Sequence, residues 1–216
     1  MIAQRRMPAE RRFGVEAAPR AQGRSGGSAG NERLTAVTGA ALIALLAVEG
    51  VTILFIRPLI SVHVFVGLML VPPVALKLAS TGWRFARYYA GSRAYVLKGP
   101  PHALMRFAVA PAVVVTTAFL FGTGVAMLAV RPQRGPLLEL HKASFVLWLV
   151  VTGAHVLWHL PRLAGLLGGE LSRRTRVPAA RLRLALVGGS IALGAVLAAS
   201  AFHLAAPWLD WVRLGR

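Results

Sequence analysis

The sequence predicts an all-α fold, a polytopic membrane bundle of five transmembrane helices. Three observations predict it. Of the 216 residues, 56% are hydrophobic and only 15% are charged, whereas soluble domains carry about 25% charge. Five windows each hold a predominantly apolar run of roughly the 20 residues that cross a hydrocarbon core. Lys and Arg concentrate in alternate connections between those windows, as topology signals do.

Each element has its own signal. Residues 1–33 are rich in Arg, Ala, Gly and Ser. They predict a disordered cytoplasmic tail; no apolar stretch follows the first arginines, so a signal peptide is not expected. The first span is Leu34–Ile56. Arg57-Pro58 reads as a tight turn into the second, Leu59–Ser80, where Pro72-Pro73 predicts a kink. The third, Ala103–Val130, carries a milder proline signal at Pro111. A short turn, RPQRGP, leads to the fourth, Leu137–Leu160, which completes a core over 34–162. A basic cytoplasmic loop, 163–181, precedes the fifth span, Leu182–Ala206, within the last segment, 182–216. The small residues Gly188, Gly189 and Gly194 point to helix packing there, with another subunit as one partner.

The positive-inside rule places the N-terminus in the cytoplasm and the C-terminus outside, in the cell (inner) membrane. Trp83 suits the inner boundary, and Trp208 and Trp211 the outer one. Between the second and third spans, GWRFARYYAGSRAYVLKGPPHALMR is basic and aromatic. It reads as a short interfacial helix and a turn at Gly99-Pro100-Pro101, forming a lipid-facing shelf. Its other readings are a contact for haem propionates and a dock for a soluble partner.

The net charge of +18 would signal nucleic acid in a soluble protein. Here the charge lies between apolar runs, so no nucleic-acid partner is expected, and membrane lipid is. The absence of cysteine excludes disulfides, thiolate iron–sulfur sites and covalent c-type haem attachment.

Ionisable side chains within spans are costly and mark function. His63 lies about four residues into the second span and His141 about four into the fourth. Both spans run the same way, so both imidazoles sit roughly 6 Å below the outer end of the core. Two imidazoles at one depth on different helices are what a b-type haem iron takes as axial ligands; the bland reading is a pair of interfacial histidines. Gly67, four residues after His63, and Gly122 and Gly124 in the third span leave room for a flat macrocycle or for ordinary helix packing. His155, 14 residues after His141, returns to within roughly 40° of the same face, about 21 Å deeper, and His159 lies one turn further. They fit a second haem, a quinone or propionate contact, or an interfacial position. The position matching His155 on the second span is Lys77, an uncommon haem ligand better suited to a propionate or lipid phosphate. Glu49 could accept a ligand imidazole's N–H, but surface pairing with Arg57 is the favoured expectation. His203, alone near the outer end of the fifth span, is expected to be interfacial.

HVFVG from His63, LHKASFVLW around His141 and GAHVLWHL around His155 and His159 resemble the bacterial membrane cytochrome b superfamily. That group includes the cytochrome b subunits of formate dehydrogenases and hydrogenases and the ferric-reductase-like membrane domains. The likeness covers roughly 34–161. It implies a four-helix haem-binding core with one or two b haems. His63 and His141 would ligate the outer iron, and His155 or His159 an inner one. It further implies electron transfer between a quinone pool and a redox partner subunit. The chain departs from a di-haem pattern at Lys77. No nucleotide fingerprint, flavin domain or catalytic triad accompanies these strings, so an electron-transfer or anchor subunit is expected rather than a stand-alone enzyme. The competing readings are a cofactor-free scaffold or small transporter, and a metal-handling protein using His155 and His159.

Overall fold

A computed structural model describes residues 27–99, 102–130, 132, 135–171 and 179–214. Most of the expected tail (1–26), Pro100-Pro101, half of the RPQRGP turn (131, 133 and 134), residues 172–178 of the basic loop and the last two residues lie outside the described residues. The described residues are helical, and five stretches are long and apolar enough to cross a membrane: Ser28–Leu54, Ile56–Tyr89, Met105–Leu128, Pro136–Gly168 and Ala180–Arg213.

The first stretch is α1 (Ser28–Leu54), which starts six residues before the expected span. Its first turns are polar because they are used. Asn31 donates to the Ser80 carbonyl (2.8 Å), and the Thr35 hydroxyl donates to the Ser80 hydroxyl (2.9 Å). Glu32 accepts from Lys98 at 2.5 Å and also from Arg162. One carboxylate thus ties three separate parts of the chain at one end of the bundle.

The expected turn at Arg57-Pro58 lies elsewhere. The corner is Phe55 (φ −125°, ψ 47°), and both Arg57 and Pro58 fall in the first turn of α2 (Ile56–Met69). Proline is tolerated there because a first-turn N–H has no partner within the helix. Pro72-Pro73 breaks the second span as expected. α2 gives way at Leu70 to α3 (Val71–Tyr89). Two successive residues without N–H leave the Leu68 and Met69 carbonyls without their helical donors.

α3 continues past Ser80 to Tyr89. Gly91 then turns the chain in the left-handed region (φ +72°), and α4 (Arg93–Val96) follows. The third span begins with a π-helical turn, Met105–Val109, and continues as α5 (Ala110–Leu128). The ring of Pro111 crowds the Phe107 carbonyl, and a widened turn relieves that clash. α6 (Pro136–Leu171) runs through Pro161. Residues 163–171 of the expected loop are therefore helix, and at 1.5 Å per residue α6 is about 54 Å long, well beyond a hydrocarbon core.

The fifth span differs most from expectation. α7 (Ala180–Ala201) tightens into a 3-10 turn (Phe202–Ala205) and then into the short helix α8 (Ala206–Arg213). α7 packs on α1, α2 and α3, while α5 pairs with α6 and α1 also touches α6. The bundle is thus five helices, with α7 integral to it. A Cβ built on Gly194 of α7 would collide with the Met69 carbonyl oxygen, one of those freed by Pro72-Pro73. The helix break therefore docks α7 within this chain, and no second subunit is needed to explain Gly194. Gly188 and Gly189 have open space.

Trp208 is buried rather than interfacial. Its indole N–H donates to the Met127 carbonyl (2.6 Å) at the end of α5, and Trp211 stacks edge-on against it. Trp83 is exposed, with Arg87 above its ring. At the heart of the bundle Leu42, Val66 and Leu70 form a buried cluster, against which Met69, Val74 and Phe121 pack. Phe121 brings α5 to α1 and α2.

Candidate functional site

His63 is the eighth residue of α2 and His141 the sixth of α6. These positions place them about 10 and 8 Å along their helices, at similar depth when measured from helix starts at the same end of the bundle. The two rings lie within electrostatic reach of each other. Each is held at Nδ1 by a threonine from a neighbouring helix. His63 Nδ1 is 3.0 Å from Thr52 Oγ1 of α1, and His141 Nδ1 is 3.0 Å from Thr123 Oγ1 of α5.

The hydroxyl protons decide the tautomers. Thr52 donates its proton to the Glu49 carbonyl at 2.6 Å. Thr123 donates to the carbonyls of Phe119 and Leu120 at 3.0 and 2.9 Å. A hydroxyl has one proton; with that proton on its own helix backbone, the threonine oxygen accepts from Nδ1–H of the imidazole. In that arrangement a neutral ring keeps its lone pair on Nε2. A neutral imidazole can ligate a metal through either nitrogen; here Nε2 is the one left free, with Nδ1 oriented by a hydrogen bond to a second residue.

Glu49 adds a second acceptor on the His63 side. Its Oε1 is 3.0 Å from His63 Nδ1, with the carboxyl side chain 13% exposed. The expected pairing with Arg57 is not formed; Glu49 faces into the bundle. Its other oxygen, Oε2, is buried without a hydrogen-bond partner among the described residues.

The three glycines expected near a macrocycle have different roles. A Cβ at Gly124 would lie 3.2 Å from His141 Cε1, so this glycine lets the imidazole rest directly on α5. A Cβ at Gly67 would meet Glu49 Oε1 at 3.4 Å, an ordinary contact. Gly122 has open space and lines a shallow apolar groove of about 530 Å³ with Val115, Phe119 and Leu137.

Lys77, His155 and His159 are arranged differently. Lys77 Nζ donates to the Thr35 carbonyl at 2.7 Å and passes close over Gly39 of α1. Its charge is directed at backbone oxygen in the α1–α3 seam. The rings of His155 and His159 meet at a tilt of 58°, with centroids 4.7 Å apart. His155 Nδ1 and the Thr152 hydroxyl, one turn before it, are buried without hydrogen-bond partners among the described residues, whereas His159 is exposed. His102 lies against Trp158 (5.8 Å). His203 is exposed and bonded to its own helix at the Ser200 carbonyl. No group of three or more His, Cys, Asp or Glu among the described residues could hold a metal ion by itself, so the metal-handling reading lacks a ligand set around His155 and His159.

Sequence reasoning missed Thr52 and Thr123 and misplaced Glu49. Comparison with known proteins adds no relative: no protein-family model matches the chain, and neither a curated protein nor a solved structure does.

Proposed function

We propose that the protein is an integral membrane b-type cytochrome that carries electrons between a quinone pool or redox partner and another oxidoreductase. The observation that supports this most strongly is the matched pair of threonine-held imidazoles. Two neutral histidines on different helices, each with Nδ1–H engaged and Nε2 left with its lone pair, are a donor set suited to one haem iron. The lack of cysteine fits a haem held by histidine and packing alone.

In this reading His63 and His141 hold the group, and when bound it supplies one-electron redox chemistry. The protein supplies the rest. Thr52 and Thr123 lock the imidazole tautomers and make the rings better donors. Glu49 places negative charge beside the His63 ring, which favours the more oxidised state. Gly124 brings the His141 ring against α5. The long apolar helices keep water away.

The reading carries one haem. Lys77 is engaged by the Thr35 carbonyl, and the imidazole that meets His155, that of His159, comes from its own helix. The N-terminus is assigned to the cytoplasmic side by the distribution of Lys and Arg, which puts the His63–His141 end outside. The test is the absorption spectrum of the purified protein, oxidised and dithionite-reduced, after expression with haem precursor supplied. A Soret band that shifts on reduction, with one haem per chain, is expected. A colourless protein under those conditions overturns the proposal.

A further inference from the structure

We infer that Arg106 is the anchor of a binding site for the phosphate of an anionic phospholipid, at the opposite end of the bundle from His63 and His141. This site does not depend on the haem reading.

The guanidinium of Arg106 sits over three aromatic rings: Tyr89 at 4.7 Å, Phe107 at 4.8 Å and Tyr88 at 5.4 Å from the ring centroids. All lie within the roughly 6 Å over which a cation is attracted to a ring face. Two of these rings close α3, and the third belongs, with Arg106, to the π-helical turn Met105–Val109. Each ring draws the cation to its π face, and a guanidinium carries five N–H donors suited to a phosphate.

The neighbouring cations differ. Lys98 and Arg162 share the single carboxylate of Glu32, and Arg87 donates to the Ser92 hydroxyl at 3.1 Å. Arg106 is half-buried, and among the described residues no carboxylate reaches it. A half-buried guanidinium held by three rings is poised for an anion, because much of its side-chain ordering is already complete.

The setting selects a lipid. Arg106 is the second residue of the apolar stretch Met105–Leu128. It therefore lies at the boundary between water and hydrocarbon, where lipid phosphates reside. Around it Leu97, Leu104 and Phe107 are 78%, 53% and 68% exposed, apolar surface that suits acyl chains better than water. A basic pocket at a helix boundary with apolar flanks is how membrane proteins hold anionic headgroups.

The test is native mass spectrometry of the full chain in detergent, titrated with phosphatidylglycerol. Wild type should retain one phosphatidylglycerol in preference to phosphatidylcholine. Arg106→Gln should bind it about tenfold more weakly, the scale of one lost charge-assisted contact. Tyr89→Leu should fall between, and Arg57→Gln, at the other end of the bundle, should match wild type. If Arg106→Gln does not fold, Arg106→Lys keeps the charge but not the fork and should still lose affinity. Equal retention by the Arg106 variant and wild type overturns the site. Displacement of the lipid by inorganic phosphate at equal concentration overturns the lipid assignment in favour of free phosphate.

Discussion

The imidazole of His141 donates from Nδ1 to Thr123 Oγ1 at 3.0 Å, and the hydroxyl is free to accept because its proton is bonded to its own helix. His63 repeats the arrangement with Thr52. The two threonines make the first prediction. Thr52→Val or Thr123→Val keeps the shape and removes the acceptor. The affinity for haem should fall by about 10–100-fold, the usual cost of losing a partner of a ligating histidine. Serine at either position should retain most of it. Haem transfer to apomyoglobin, followed optically, measures this directly.

Glu49 gives the second. Its carboxyl oxygen lies 3.0 Å from His63 Nδ1. Glu49→Gln keeps an acceptor and removes a negative charge that favours the oxidised state. The midpoint potential should rise, by about 60 mV for each tenfold change in relative stability of the two states. A redox titration reads the shift. An unchanged or lowered potential would show that the carboxyl carries no charge at the His63 ring.

Gly194 gives the third, and it concerns stability rather than redox. A Cβ there would collide with the Met69 carbonyl oxygen. Gly194→Val should destabilise the bundle by about 1–3 kcal/mol or more, as overpacking does. Gly188→Ala has open space and should be near neutral. Thermal unfolding in detergent compares the two.

The fourth concerns α8. Trp208 is buried and donates to the Met127 carbonyl at 2.6 Å. Trp208→Phe retains much of the packing but removes the indole donor, leaving that carbonyl with the Val130 N–H at 3.4 Å, at a cost of about 0.5–1.5 kcal/mol. Trp211→Phe, on the more exposed ring, should cost less. The difference in melting temperature between the two variants checks that α8 is bonded into the bundle rather than resting at the membrane interface.

The five spans, and His63 and His141 as ionisable residues within them, were legible in the sequence because both follow from one cost. A bilayer demands long apolar helices and penalises ionisable groups within them, so His63 and His141 stand out against their surroundings. The threonines did not stand out. A threonine in a helix commonly bonds its own backbone, as Thr38 and Thr116 also do. Nothing local marks which one also meets an imidazole from another helix. Glu49 was visible, but its direction was not: a one-residue corner at Phe55 rather than a turn at Arg57-Pro58 sets how α1 faces α2. The place of α7 was hidden for a related reason. Which of its glycines matters depends on where Pro72-Pro73 leaves an unbonded carbonyl, and that is a property of two helices together.

The most direct test of the paired-histidine account is low-temperature electron paramagnetic resonance of the oxidised protein. The account predicts a low-spin ferric signal of bis-imidazole ligation in wild type. It predicts loss of that signal, by loss of haem or conversion to high spin, in both His63→Ala and His141→Ala. A low-spin bis-imidazole signal that survives in both variants would contradict it.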